Sequence, residues 1–172
     1  MQKDFSYPLN IDELNQQEQH YKLEANPEQL KVLTQILQVV DVKKFVADIY
    51  LKLKIKEHRL DVWGTVSADL ELESVVSLEK FVKSYAPSFE LYYDTKATYK
   101  DIREMEPQIN DNIPDIIENG KIDLGDIAIE QLALVMEDYP RKDGEKFEFI
   151  SEFDEETNRQ ANPFAVLAKL KK

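Results

Sequence analysis

Cysteine is absent from this 172-residue chain, and its absence excludes disulfides, thiolate metal sites and thiol nucleophiles. Glycine is nearly as scarce. The four, Gly64, Gly120, Gly125 and Gly144, are isolated from one another, so no glycine-rich phosphate loop can be built. Only two histidines occur, His20 and His58, far apart in sequence. His58 falls at an expected hairpin turn, where an exposed turn residue is a better reading than a metal ligand. No window approaches the ~20 apolar residues of a membrane-spanning helix. The opening MQKDFSYPLNIDEL carries acidic residues where a secretory leader needs a basic stretch and then an apolar one. The expected compartment is the cytoplasm, with no membrane contact.

What the chain has in abundance is negative charge: 34 Asp and Glu against 22 Lys and Arg, a formal net charge of -12. Such a field argues against broad clamping on nucleic acid phosphates and suits a basic partner protein. Pairs of acids at spacings suggestive of general acid–base work arise by chance in so acidic a chain, and nothing marks any pair as buried. The chain therefore reads as a non-enzyme with no catalytic residues, no metal and no cofactor.

With 42% hydrophobic residues, the chain can bury one core, and a single domain over 1–172 is expected. FSYPLNI and QHYKLEA are strand-like. NPEQLKVLTQILQVV offers Asn26 as a cap and Pro27 at the first helical position, with Leu30, Leu33, Leu37 and Val40 along one helix face. From Phe45 the period changes to two. Phe45, Ala47, Ile49, Leu51, Leu53 and Ile55 alternate with polar residues, and a second run carries Leu60, Val62, Gly64, Val66, Ala68, Leu70 and Leu72. The two predict a long hairpin turning near Glu57 and His58. Pairing Ile55 with Leu60 sets Lys54 opposite Asp61, Lys52 opposite Trp63 and Lys44 opposite Glu71.

VSLEKFVKSYAP predicts a short helix from Ser77 to Pro87, and SFELYYD a third long strand with Phe89, Leu91 and Tyr93 facing one way. Residues 97–121, with two prolines and polar clusters, are expected to be a mobile acidic connection. IDLGDIAIEQLALVMEDYP predicts an apolar helix capped by Asp123, with Asp126 in its first turn, packed on the sheet and ending before Pro140. The architecture is then α+β, a curved antiparallel sheet with packed helices. Gly64, mid-strand beside Trp63, marks a bulge or a close backbone approach.

Two stretches are candidate partner-binding sites. Lys52, Lys54 and Lys56 make the first half of the hairpin basic, and Tyr50 and Trp63 share its polar face, a pattern that could hold single-stranded RNA. The reading set against it is cross-strand neutralisation by Asp61, Asp69 and Glu71, with Lys52 stacked on Trp63, and we place it first. The tail NPFAVLAKLKK is punctuated as a helix by Asn162 and Pro163. Phe164, Leu167 and Leu170 share a side, and Lys169, Lys171 and Lys172 close it. It is shorter than the ~12 residues an isolated helix needs in water, so its apolar side must rest on this domain's core or on a partner.

Three stretches, VWGTVSADLELESVVSLEKF, KIDLGDIAIEQLALVMEDYPRKDG and NPFAVLAKLK, in this order and spacing, resemble the YceD family. These bacterial and plastid proteins are implicated in accumulation of large-subunit ribosomal RNA. The IDLG-led helix and the terminal PFAVLAKLK are the more specific parts, and FSYPLNIDEL is in keeping with them. The resemblance implies cysteines at the positions of Ser74 and Ser77 in many members, and further cysteine near Pro140 to Gly144. This chain is a variant without them, so a metal or redox role suggested by those cysteines does not apply to it. What the resemblance implies is a non-enzymatic role in making the large ribosomal subunit. The partner expected is a basic large-subunit ribosomal protein or a pre-ribosomal particle. Direct binding of ribosomal RNA by the Lys-rich hairpin and the tail is the alternative.

Overall fold

The computed structural model describes residues 4–97 and 115–146. Most of the expected 97–121 connection and all of the tail, with Phe164, Lys169, Lys171 and Lys172, lie outside the described residues. The chain divides after Lys142. Every element below belongs to the unit that ends there, and of the second only residues 143–146, with a turn at Asp143 and Gly144, are described.

The period-two runs become β3 (Asp41–Lys54) and β4 (Arg59–Glu73), joined by a 3-10 turn over Ile55–Glu57 and by His58 in the left-handed region at φ 50°. This turn fixes a register two residues from the expected one. Leu53 faces Leu60, Lys52 faces Asp61, Tyr50 faces Trp63 and Lys44 faces Asp69. The apolar faces still coincide, because a shift of two preserves the side on which every residue lies. Ile55 alone leaves the core: it sits in the turn and is half exposed. Near the other end a register shift between Val42 and Lys44 marks a β-bulge, which bends the strand and sets Lys43 within reach of both Asp41 and Glu71.

The helix expected from Ser77 is a strand. Residues 80–94 return along β4 in one constant register, as β5 (Lys80–Tyr85) and β6 (Ser88–Asp94). Ala86 and Pro87 interrupt them, Pro87 having no N–H to give to the ladder. What prevents a helix is the turn before it. Ser74 is buried, its hydroxyl accepts hydrogen bonds from the amides of Val76 (3.1 Å) and Ser77 (3.3 Å), and Leu78 takes φ 59°. The expected third long strand is present as β6, with Phe89 and Tyr93 buried. One pairing departs from an antiparallel sheet: β7 (Asp115–Ile116) lies parallel to β6. With β2 (Gln19–Glu24) on β3, the sheet order is β2-β3-β4-β6-β7, with β5 also on β4.

One face of this sheet is covered. Helix α1 (Pro27–Ile36) starts on the expected Asn26, whose side chain accepts from Glu28 and Gln29 while Gln29 reciprocates, a complete capping box. It ends earlier than expected, with Gln38 at φ 54°, so that Val40 lies beyond it. Leu33 is fully buried over β3. Helix α2 (Leu124–Ala133) buries Leu124, Ile127, Ala128 and Leu132, and stops several residues before Pro140. The fold is thus a mixed α+β arrangement with helices on one side of a mostly antiparallel sheet.

Asp123 secures this arrangement. Its carboxylate caps α2 by accepting from the Gly125 and Asp126 amides (2.8 and 3.2 Å). It also accepts from the Tyr7 amide at 2.8 Å and from the Ser6 hydroxyl. Around it β1 (Pro8–Asn10) pairs with β8 (Lys121–Asp123). A Cβ at Gly125 would lie 2.2 Å from the Phe5 carbonyl oxygen, so glycine is what lets the two backbones meet. Asp123→Ala is expected to cost about 2 kcal/mol, and Asp123→Asn less, since an amide oxygen still accepts. Urea unfolding midpoints check this, and an unchanged midpoint for the alanine variant would refute the role.

Candidate functional site

The opposite face of the sheet carries the hairpin's polar residues, and the register sorts them into rows. One row crosses four strands: His20 on β2, Tyr50 on β3, Trp63 on β4 and Glu90 on β6 are successive direct partners. Its three rings stack nearly parallel, His20 on Tyr50 at 4.3 Å and 15°, and Tyr50 on Trp63 at 5.9 Å and 14°. His20 Nε2 also meets Asp48 at 3.1 Å. The expected Lys52–Trp63 stack is replaced by Tyr50–Trp63, a direct result of the two-residue change in register.

The next rows hold the basic residues. Asp61 is 8% exposed. It is held by Lys54 Nζ at 2.7 Å and by Arg59 Nε, while the Arg59 guanidinium lies over the Tyr92 ring at 4.6 Å. Burial works against ionisation of Asp61, but the hydrogen bonds and charges of Lys54 and Arg59 outweigh it and hold the carboxyl below its usual range. Lys54 thus reaches Asp61 diagonally, whereas the expectation put the two directly opposite. Lys52 and Lys56 are exposed and have no ion-pair partner among the described residues. Beside these rows lies an open groove of about 840 Å³ lined by Trp63, Lys52, Lys54, Asp61, Glu18 and Glu90, among others. Of the sequence candidates, the structure brings together Lys52, Lys54 and Trp63. Lys56 stands in the turn, and the tail residues are not described. The acidic members Glu18 and Glu90 were missed, because nothing in their local sequence places them beside Trp63.

At the other end of the hairpin, the Ser74 turn meets the segment after α2. The Val75 amide donates to the Pro140 carbonyl at 3.0 Å, and Lys142 pairs with Glu79. These residues do not fit a thiolate metal site. The Ser74 oxygen is engaged by two amides, and among the described residues no cluster of His, Asp or Glu could hold a metal ion. No helix among the described residues is long and apolar enough to cross a membrane.

Fold and face together define a mixed α+β protein with helices on one side of its sheet and an open, ring-bearing groove on the other. The family model described as large ribosomal RNA subunit accumulation protein YceD matches residues 62–171, more than half of the chain. The chain belongs to the YceD family, whose name ties it to accumulation of large-subunit ribosomal RNA and to ribosome biogenesis. No curated protein and no solved structure matches it. The motif IDLG, within the matched range, has an architectural explanation here: Asp123 caps and ties, and Gly125 admits the Phe5 backbone.

Proposed function

We propose that this protein supports accumulation of large-subunit ribosomal RNA without chemistry of its own, acting in the cytoplasm. It does so by binding a basic large-subunit ribosomal protein, or the assembling particle, through its acidic surface. The observation that carries the reading is how the hairpin spends its cations. Lys54 and Arg59 are held by Asp61, and Lys43 by Asp41 and Glu71, so half of the six cations of the hairpin are neutralised within it and the face offers phosphates a reduced charge. On a chain of net charge -12, the long-range field speeds encounter with a basic partner, repels bare RNA, and is screened by salt. The test is affinity capture of the tagged protein from growing cells with and without ribonuclease. Retention of a basic large-subunit protein after ribonuclease, weakened by added salt, is the expected result. Loss of all large-subunit proteins on ribonuclease treatment would overturn it.

A second reading has one observation in its favour: Lys52 and Lys56 are exposed and without ion-pair partners among the described residues, and Lys52 shares a groove with the stacked Tyr50 and Trp63. Direct RNA binding would use these lysines together with Lys169, Lys171 and Lys172 of the tail. Lys52→Glu with Lys56→Glu separates the two readings, leaving Lys54 in place because Asp61 depends on it. Under the first reading the variant still retains its basic protein. Under the second it loses RNA.

A further inference from the structure

Trp63 is the last ring of its stack. Tyr50 covers one face, and the other looks toward β6, where Glu90 is the direct cross-strand partner. At that level β6 is the outermost strand among the described residues, since β7 joins it only at Tyr93 and Asp94. The free face therefore borders the open groove. Of the charges lining that groove, Lys54 and Asp61 satisfy each other. Glu18, Glu90 and Lys52 are exposed, with no ion-pair partner among the described residues.

We infer that this groove takes an arginine side chain of a basic partner, its guanidinium flat on Trp63 and its N–H groups on the Glu90 carboxylate. The inference rests on the basic-partner reading above and names the contact by which it operates. A guanidinium is planar and weakly hydrated, and can stack on an indole while its fork reaches a carboxylate. A lysine ammonium, compact and strongly hydrated, gains less from the same place. A nucleobase could also stack on Trp63, but its phosphates would then meet two unpaired carboxylates and a single unpaired lysine. That lysine gives the sharper distinction. Lys52 lies opposite Asp61, diagonal to Trp63, where it repels a guanidinium and attracts a phosphate.

Trp63 is the only tryptophan of the chain, so the intrinsic fluorescence of the intact protein reports on this groove. Three probes are titrated: a short arginine-rich peptide, the same peptide with lysine for arginine, and a single-stranded RNA oligonucleotide. The arginine peptide is expected to change Trp63 emission saturably and to bind about threefold to tenfold more tightly than the lysine peptide. Glu90→Gln, an exposed substitution checked by its melting temperature, should weaken the arginine peptide about tenfold. Lys52→Gln should tighten it. Equal affinity of the two peptides overturns the inference. So does a silent arginine peptide, or an RNA response that weakens in Lys52→Gln. Capture from cells with Glu90→Lys separates this inference from the one beneath it. If the variant and the natural chain retain the same basic ribosomal protein equally, the groove assignment falls while the proposed function stands. If the natural chain retains none, the proposed function falls, and the peptide titration alone decides the groove.

Discussion

An alanine at Gly64 is expected to lower the unfolding free energy by about 3 kcal/mol, a large share of the roughly 5–15 kcal/mol available to a domain. Gly64 lies in the middle of β4, on the covered face opposite Ile49. A Cβ there would stand 2.1 Å from the Asp48 carbonyl oxygen and 3.0 Å from the Ile49 Cα. Both obstacles are backbone of the neighbouring strand, so relief requires moving β3 and the α1 packing that rests on it. No rotamer change provides it. Thermal or urea unfolding measures the loss, with Thr65→Ala, next along the strand on the exposed face, as a control expected to change little. Equal stability of the two variants would show that the strands do not approach as closely as described.

The second large effect concerns Asp61. Methionine at Lys54, Arg59 and Lys52, which stands directly opposite Asp61, keeps the apolar stems but leaves a buried carboxylate without counter-charges, at an expected cost of about 3 kcal/mol near neutral pH. Adding Asp61→Asn should restore most of it, because the charge, and not the packing, is at fault. The pH dependence gives an independent check. In the natural chain the folded carboxyl titrates below its usual value. The stability Asp61 contributes is therefore full above pH about 4 and is lost as pH falls through the lower folded value. In the triple methionine variant burial dominates, which raises the carboxyl and favours its protonated form. The gap in melting temperature between the two proteins should then narrow from pH 7 toward pH 3, and a gap that stays constant would sink the argument.

The hairpin was legible because period-two alternation over Phe45 to Leu72 leaves no other way to bury one face. Its register was not, since the 3-10 turn at Ile55–Glu57 and the left-handed His58 have no glycine or Asn-Gly signal to announce them. That missing detail decided the site: two residues of slip exchange Lys52 for Tyr50 as the neighbour of Trp63. In the stretch after Ser77 the apolar spacing of Phe81, Val82 and Tyr85 admits a helix as well as a strand. What overrules that pattern is the turn at Ser74 and Leu78, which returns the chain along β4. On that strand Lys83 meets Glu137 at 2.6 Å, with its ammonium 5.5 Å from the centre of the Tyr85 ring. The caps at Asn26 and Asp123 were readable from local chemistry alone. The second duty of Asp123, holding Tyr7, depends on a contact 116 residues away.

That last contact has a meaning for how the protein is made. Tyr7 leaves the ribosome 116 residues ahead of the carboxylate that will bind its amide, an interval on the order of ten seconds at ordinary rates of translation. In that time β3 and β4, joined by a tight turn, and β2, joined to β3 through α1, have all the partners they need to begin pairing. The segment from Phe5 to Asn10 has only part of its surroundings: Phe45 can already meet Phe5, but β8 and the Gly125 surface against which the segment closes have not been synthesised. Phe5, fully buried at the end, spends that interval with only one side of its seat in place. Residues 7–10 are thus tied down only after Asp123 and β8 have emerged, and they close over a hairpin whose strands came first.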